Sequence, residues 1–291
     1  MLEEDRNCYS ESLNISVEDI LEMMILDACF IVEVILKLVM PNSGRPVNNI
    51  FNIGLIYSSI LYDLALAENQ LPFFMLWKLL DMVDKDLTSK FIKQILTMHK
   101  YKLPGLRVDT MYDNNSIKKV KHLVDLLHTS WLPSEKAIVE YNEAWLKNGN
   151  WPSICCAMEL REAGIQFKTV ETEEVDQKIS LFDVKFKNGI LEIPRLTVSD
   201  RTESLYRNLV VCEQFDNRYP AFLIDYIVLM DFLINTGKYV ELLCEHGNID
   251  NLLGNGETVA AMFNRLGDEI GFSREGLFYV KLYRDDALKS S

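Results

Sequence analysis

The chain has 291 residues, of which 48% are hydrophobic and 25% are charged, a composition typical of a globular protein that can bury a sizeable core. Its formal net charge of −13 repels phosphate backbones and anionic lipid, so we expect no nucleic-acid partner and no polybasic membrane contact. The six cysteines include no C-x-x-C pair. We therefore expect reduced thiols, no metal or cofactor, and a cytoplasmic protein or one on the cytoplasmic face of a membrane.

Helices are predicted for the first hundred residues. The most apolar segment, Met23–Met40, is interrupted by Asp27, Glu33 and Lys37. Because these charges suit a core helix better than a membrane span, we predict one over Val17–Met40. The helices expected next are Asn52–Glu68, Phe73–Val83 and one that starts near Asp86 or Thr88 with Phe91, Ile92, Ile95 and Leu96 inward.

The middle of the chain begins with a further helical pattern. A helix is predicted to open at Ser116, because apolar residues follow it at 3-4-3-4 spacing: Ile117, Val120, Val124, Leu127 and Trp131. Residues 133–149 are expected to form a partly helical insertion. The next helix is predicted to begin at Ser153 and to end at Gly164, a residue suited to a C-terminal cap.

The hydrophobic period changes after residue 164. Residues 165–170 and 181–198 alternate apolar and polar side chains, a period typical of strands. Asn188-Gly189 is a strong signal for a two-residue hairpin turn. We predict a small antiparallel sheet here, with Val184 and Phe186 on one face and with Pro194 confining the last strand to an edge.

Helix is expected again after the sheet. Asp200 and Glu203 resemble a capping box for a helix over 201–215. We predict the later helices at Ala221–Asn235 (closed by Gly237), Tyr239–Glu245 (closed by Gly247), Glu257–Leu266 and Arg274–Leu288. Helices on both sides of the sheet predict a mainly α fold: a single helical domain over residues 1–291 with a small antiparallel β-sheet insert around residues 165–198.

Several phrases of the chain occur in an order that is more specific than any one of them. They are MMILDACFIVEVIL, DLALAENQLPFFML, HLVDLLH, AMELREAGIQFK, LFDVKFKNGILEIPRLTVSDRTESLYRNLVVCEQ, LMDFLINTGKYVELL and GNIDNLLGNGETVAAMFNRL. Over most of the chain they resemble the plant family called domain of unknown function 247. The resemblance implies no established enzymatic activity and, for some grass members, a link with pollen–stigma self-incompatibility.

The same resemblance bears on membrane attachment. Members of the family usually carry a longer N-terminal region and end in a C-terminal transmembrane helix. We expect this chain to correspond to the central and late soluble part of such a membrane-associated protein, without the transmembrane segment. A role taken from the grass members would rest on analogy, because one fold can serve many functions.

A first polar motif, Glu68, Asn69 and Gln70, lies in an apolar run just before Pro72. The structural interpretation is a helix boundary at Leu71-Pro72, where the amides bond backbone groups that the proline leaves free. The functional alternative is a general acid or base at Glu68 in a cleft. We favour the structural role, in which Glu68 needs a partner inside the fold. Arg207 is the best candidate for that partner, and a backbone amide or a lysine is the alternative.

A second polar motif lies in the helix after the sheet and comprises Arg207, Asn208, Glu213 and Gln214. We interpret it as a buried network that links helices, with Glu213 and Gln214 inward and a Glu203–Arg207 helical pair. A ligand site is the alternative. The segment 254–258 lacks the lysine of a phosphate loop and is expected to lead into a helix.

We predict no catalytic residues, and a protein that acts through protein–protein interaction or recognition with an unidentified protein partner. One alternative is an enzyme of unknown reaction with a pocket lined by Glu68, Arg207 and Glu213. Another is an inactive, truncated copy of the family. An interaction protein should expose an apolar surface away from the polar motifs, whereas an enzyme should gather those motifs in a concave pocket.

Overall fold

The structure is a computed structural model that describes residues 16–39, 54–84, 86–100, 103–108, 114–133, 135–145, 155–170, 179–216, 220–268, 270, 278–279 and 281–282. It is mainly α-helical with a small β insert, as the sequence predicts. The chain forms two compact units: Met1–His99 with Val108–Ser130, and Lys100–Arg107 with Trp131–Ser291. The single domain expected from the sequence stays a prediction.

The first unit is built from helices. They are α1 Val17–Val39, α2 Gly54–Asp63, α3 Phe73–Val83, α4 Leu87–His99, α5 Asn114–Ile117 and α6 Leu123–Ser130. α1 packs against α3 and α4, and α4 also contacts α6. The bounds of α3 are those predicted, and the four apolar residues predicted to face inward on α4 are all buried.

Two helices of this unit end or break earlier than the sequence predicts. α2 ends at Asp63, although its apolar pattern continues to Glu68. The helix expected to run from Ser116 without interruption breaks between Ile117 and Leu123. At the break the Lys121 N–H donates to the Asp125 carboxylate at 2.7 Å. A side-chain acceptor thus replaces the helical bond that this N–H would otherwise make.

The second unit combines helices with two small sheets. Its elements are α7 Glu135–Trp145, α8 Ala157–Glu162, β1 Gln166–Val170, β2 Lys185–Lys187, β3 Ile190–Pro194, β4 Leu196–Val198, α9 Thr202–Gln214, α10 Phe222–Leu233, α11 Gly237–Glu245, β5 Ile249–Asn251 and α12 Gly256–Asp268. The helix predicted over Arg274–Leu288 falls mostly outside the described residues.

The predicted hairpin is present. β2 and β3 pair in antiparallel fashion around Asn188 and Gly189, which have φ angles of 54° and 76°. These positive angles are those of the tight turn that an Asn-Gly pair favours. Val184 is buried and Phe186 is half-buried, whereas Lys185 and Lys187 are exposed. Val184 and Phe186 therefore share a face, as expected.

The other pairings correct the prediction of an antiparallel sheet. β1 pairs in parallel with β3, so the first sheet is mixed, with the strand order β1-β3-β2. β4 pairs in parallel with β5, which follows α11 in the chain. The alternating pattern fixes which side chains share a face but carries no information about strand direction.

One buried amide joins the two sheets. The Asn248 Nδ2 group donates to the carbonyl oxygens of Lys168 at 3.0 Å and Ile193 at 2.9 Å. The backbone carbonyl of Asn248 accepts from the Leu196 N–H at 2.9 Å. Nothing local in the sequence distinguishes Asn248 from an ordinary loop asparagine, so its role could not be predicted.

Two predicted helix ends in this unit are wrong. The predicted capping box of Asp200 and Glu203 does not form at the start of α9, where the N-cap is Arg201 without a side-chain cap bond. Just before the helix, the Ser199 N–H donates to Thr202 Oγ1 at 2.9 Å. Gly237 begins α11 instead of closing α10. A Cβ atom there would lie 2.6 Å from the Glu257 carboxylate, so the glycine permits a close approach to the start of α12.

Candidate functional site

Gln70 is the best-connected residue of the first polar motif. Its Nε2 group donates to the carbonyl oxygens of Leu64 at 2.9 Å and Leu66 at 2.6 Å. Its Oε1 atom accepts from the Val124 N–H at 3.0 Å, in the first turn of α6. One side chain thereby satisfies backbone groups after the end of α2 and at the start of α6, where helices leave such groups unpaired.

Asn69 supports the same boundary. Its Nδ2 group donates to the carbonyl of Asp63, the last residue of α2, at 3.0 Å. α3 begins directly after Pro72. The predictions of a helix boundary at Leu71-Pro72 and of amide bonds to the backbone are therefore confirmed.

Glu68 lies on the surface, which corrects its predicted place inside the fold. Its proposed partner, Arg207, instead donates to the Glu203 carboxylate at 2.9 Å. An exposed carboxylate is hydrated and needs no buried counter-charge. The structure thus gives Glu68 neither the buried ion pair nor the enclosed cleft position that the two interpretations require.

Glu213, in the second motif, is buried and caps a helix. Its carboxylate accepts the N–H of Leu223 at 2.9 Å and the N–H of Ile224 at 3.0 Å. Both donors lie in the first turn of α10, where a negative charge is favourable. The predicted link between helices is confirmed at Glu213, whereas Gln214 is exposed and its predicted inward position is wrong.

The remaining polar groups of α9 make local bonds and one longer link. Asn208 Nδ2 donates to the Ser204 carbonyl at 2.7 Å within the helix. The predicted Glu203–Arg207 pair is present, and Glu203 also binds Arg265 of α12 at 2.6 Å. The hydrogen bond from Arg265 is the main cause that lowers the pKa of Glu203. Nothing in the sequence pairs Arg265 with Glu203, because 62 residues separate them in the chain.

A separate cleft opens in the second unit, with a volume of about 140 Å³. Aromatic side chains contribute part of its wall, among them Tyr141, Phe182, Phe186 and Phe278, and we call it the aromatic cleft. Three lysines also line it: Lys136, Lys185 and Lys281. Among the described residues that line this cleft, none belongs to either predicted polar motif.

Phe278, Tyr279 and Lys281 hold one wall of the cleft in place. The Phe278 N–H donates to the Asp225 carboxyl group, the Tyr279 hydroxyl donates to the Phe182 carbonyl at 3.0 Å, and Lys281 pairs with Glu140 at 3.1 Å. Burial is the main cause that raises the pKa of Asp225 well above its usual value. The carboxyl group therefore remains neutral above the pH at which an exposed aspartate ionises.

A different kind of surface lies on α1. Met23, Leu26 and Phe30 expose 48%, 62% and 52% of their surface. Their i, i+3, i+7 spacing places them on one side of the helix. We call these three residues the α1 stripe. Exposed carboxylates accompany it on the same helix at Asp19, Glu22 and Asp27.

The described residues contain no group of three or more His, Cys, Asp or Glu side chains that could hold a metal ion. Among the helices within the described ranges, none is both long and apolar enough to span a membrane. Two surfaces of the described residues remain as candidate binding sites: the aromatic cleft and the α1 stripe.

The chain is similar to plant proteins of one family. The model of the family DUF247, described as plant protein of unknown function, matches residues 1–286. A UPF0481 protein of Arabidopsis thaliana is 32% identical over 96% of this chain and 60% of its own length. A putative UPF0481 protein of the same plant is 23% identical over 93% of this chain and 66% of its own length. The chain therefore spans less than two thirds of either relative. No solved structure matches it.

Proposed function

The chain belongs to the DUF247 family of plant proteins, and we propose that it is a non-enzymatic protein that acts by binding another protein. A role in recognition, of the kind that links some grass members of the family to self-incompatibility, is the finer form of this proposal. A place in the cytoplasm, or at the cytoplasmic face of a membrane, suits a chain whose described cysteines are free thiols.

The α1 stripe is the observation that carries the proposal. Each of its side chains leaves about half of its surface in water, and burying a large apolar side chain fully stabilises a protein by about 1.5–3 kcal/mol. The opposite side of α1 is already buried in the first unit, at Met24, Ala28 and Ile31. The helix therefore presents apolar side chains in two directions, one of which a partner can cover.

The charges beside the stripe indicate the chemistry of that partner. Asp19, Glu22 and Asp27 are exposed carboxylates on α1. A second copy of this surface would bring like charges together, which disfavours self-association. A partner helix with apolar side chains flanked by lysine or arginine complements both features.

The positions of the polar motifs support a non-enzymatic role. Glu68 is exposed, Arg207 is paired with Glu203, and Glu213 is bonded to the backbone of α10. An enzyme needs polar groups that converge where a substrate can reach them. A pocket lined by Glu68, Arg207 and Glu213 would need these three side chains to act together, whereas each has a different environment in the fold.

Affinity capture from plant extract tests the proposal. The wild-type chain is compared with a Leu26→Glu, Phe30→Glu variant and with a matched control, Met82→Glu, Val83→Glu. The control residues are also exposed apolar side chains, at 83% and 61%, but they lie at the end of α3. We expect specific proteins that bind the wild type and the control but not the stripe variant.

Circular dichroism and a thermal midpoint establish that all three chains are folded. Each captured protein is then purified and titrated against them, because direct binding is the claim. Partners that bind all three equally would contradict the role of the stripe. A folded chain that captures no protein would favour the inactive copy over the interaction protein.

A further inference from the structure

One edge of strand β2 is unpaired within the part of the chain that the structure describes. In the order β1-β3-β2, β3 is the only described strand that borders β2. Lys187 and Ile190 flank the two-residue turn and form its hydrogen-bonded pair, so the next pair, Phe186 and Leu191, is not hydrogen-bonded. The N–H and C=O groups of Phe186 are therefore directed away from β3, towards the free edge.

The aromatic cleft adjoins this edge, because Phe186 lines it. A volume of about 140 Å³ is well below the roughly 300–1,000 Å³ of pockets that enclose whole small-molecule ligands. The cleft has room for one apolar side chain of a larger molecule. A peptide that pairs with β2 would supply such a side chain beside Phe186.

The charge at this edge is opposite to that of the chain as a whole. Lys185 and Lys187 are exposed, and their side chains alternate with Phe186 and lie on the other face of β2. The neighbouring carboxylate on that face, Glu192, pairs with Lys168 at 3.5 Å. In a protein with a formal net charge of −13, this basic edge favours an acidic partner.

We propose that β2 and the adjoining cleft bind an extended peptide segment with an acidic–apolar–acidic pattern, which adds to β2 as an antiparallel strand. The apolar residue lies opposite Phe186, exchanges backbone hydrogen bonds with it and places its side chain in the cleft. Its two acidic neighbours lie opposite Lys185 and Lys187, where cross-strand pairs of opposite charge are favourable. This surface goes beyond the proposed function and does not rest on the α1 stripe.

Lysines on an edge strand have another known use, which is to prevent pairing with other chains. That interpretation predicts no affinity for any added strand. The proposed one predicts affinity for one charge pattern and one backbone register, so a peptide titration distinguishes them.

The probe is a capped, fluorescein-labelled nonapeptide, Gly-Ser-Thr-Asp-Leu-Glu-Thr-Ser-Gly, titrated into the full chain and followed by fluorescence anisotropy. We expect saturable binding that weakens as salt concentration rises. Two control peptides replace the acidic pair by lysines, or carry an N-methyl group on the leucine. Both should bind at least tenfold more weakly, the second because it cannot donate to the Phe186 carbonyl.

Two variants of the protein test the same contacts. Lys185→Glu with Lys187→Glu should weaken binding at least tenfold, whereas Lys90→Glu with Lys93→Glu, the same change of charge at exposed positions of α4, should not. Phe186→Pro removes the outward N–H but no hydrogen bond to β3, and should weaken binding as well. If that variant does not fold, the N-methyl peptide still tests the backbone pairing.

The proposal is overturned by no binding at 1 mM peptide, by equal binding of the lysine peptide, or by equal binding of the N-methyl peptide. No binding would favour the interpretation in which the lysines prevent β2 from pairing with other chains. Equal binding by the two charge patterns would leave only a non-specific apolar contact. Each of these results leaves the capture experiment on the α1 stripe unaffected.

Discussion

Gln70 and Val124 are joined by a hydrogen bond of 3.0 Å across 54 residues of chain, from the Val124 N–H to the Gln70 Oε1 atom. The amide nitrogen of the same side chain binds the carbonyl oxygens of Leu64 and Leu66. Polar residues within an otherwise apolar run are thereby explained: Gln70 supplies both an acceptor and a donor where helices of the first unit end and begin. Its role is structural.

Replacing Gln70 by Ala should lower the free energy of unfolding by about 2 kcal/mol, since it leaves several partly buried backbone groups without a partner. Glu68→Ala is the matched control, because Glu68 is exposed and should change stability by less than about 0.5 kcal/mol. Urea denaturation monitored by circular dichroism measures both. Equal effects of the two substitutions would show that Gln70 does not organise this boundary.

Glu213→Gln tests the cap of α10. The substitution removes a negative charge from the first turn of α10 and turns an amide N–H towards the N–H group of Leu223 or Ile224. We therefore expect the free energy of unfolding to fall by about 2–3 kcal/mol. Gln214→Ala, at the exposed neighbouring position, should be nearly neutral. A Glu213→Gln protein with wild-type stability would mean that water satisfies those N–H groups as well as the carboxylate does.

Local signals explain what the sequence predicted well. Pro72 cannot continue a helix, and Asn188-Gly189 adopts the positive φ angles of a tight turn, so α3 and the hairpin follow from a few neighbouring residues. The position of Gln70 at a helix boundary could be predicted for the same reason. Its bond to Val124 could not, because it depends on how two distant segments pack.

Long-range pairing accounts for the errors. Glu203 looks like a capping residue in the sequence, but Arg265 from α12 binds its carboxylate, and the N-cap position of α9 is Arg201, which makes no side-chain cap bond. β1 was expected to pair in antiparallel fashion, yet it lies parallel to β3. Periodicity assigns side chains to faces, whereas the direction of a strand is decided by the path of the chain between strands.

His99 should make the protein less stable in mild acid. Burial lowers its pKa below the ordinary value of 6.5, and its Nδ1 atom lies 2.9 Å from the Ile95 carbonyl. As pH falls below 6.5 the unfolded chain takes up a proton that the folded chain does not, so the free energy of unfolding falls. His99→Gln removes this titration. Urea denaturation at pH 7.5 and 5.5 should show that the free energy of unfolding falls less between these two pH values in the variant than in the wild type.

Asp225 should make the protein less stable as the pH rises, which is the opposite of the effect of His99. Its pKa is raised well above the ordinary value of 3.8, chiefly by burial. As pH rises above 3.8 the unfolded chain releases a proton that the folded chain keeps, so this residue lowers the free energy of unfolding with increasing pH. Asp225→Asn keeps an oxygen for the Phe278 N–H and removes the titration. Its stability relative to the wild type should rise between pH 4.5 and 7.5, and a constant difference would refute the assignment.

Asn248 offers the sharpest test of how the two sheets are joined. Its amide group donates to the carbonyl oxygens of Lys168 and Ile193, so Asn248→Asp would set a carboxylate against two acceptors and should destabilise the protein by about 3 kcal/mol or more. Acid should partly restore stability, because a protonated carboxyl group can donate. Asn251→Asp is the control: Asn251 Oδ1 accepts from the Leu253 N–H at 2.8 Å, a role that aspartate retains. If denaturation finds the two substitutions equally tolerated, Asn248 does not act as the donor between β1 and β3.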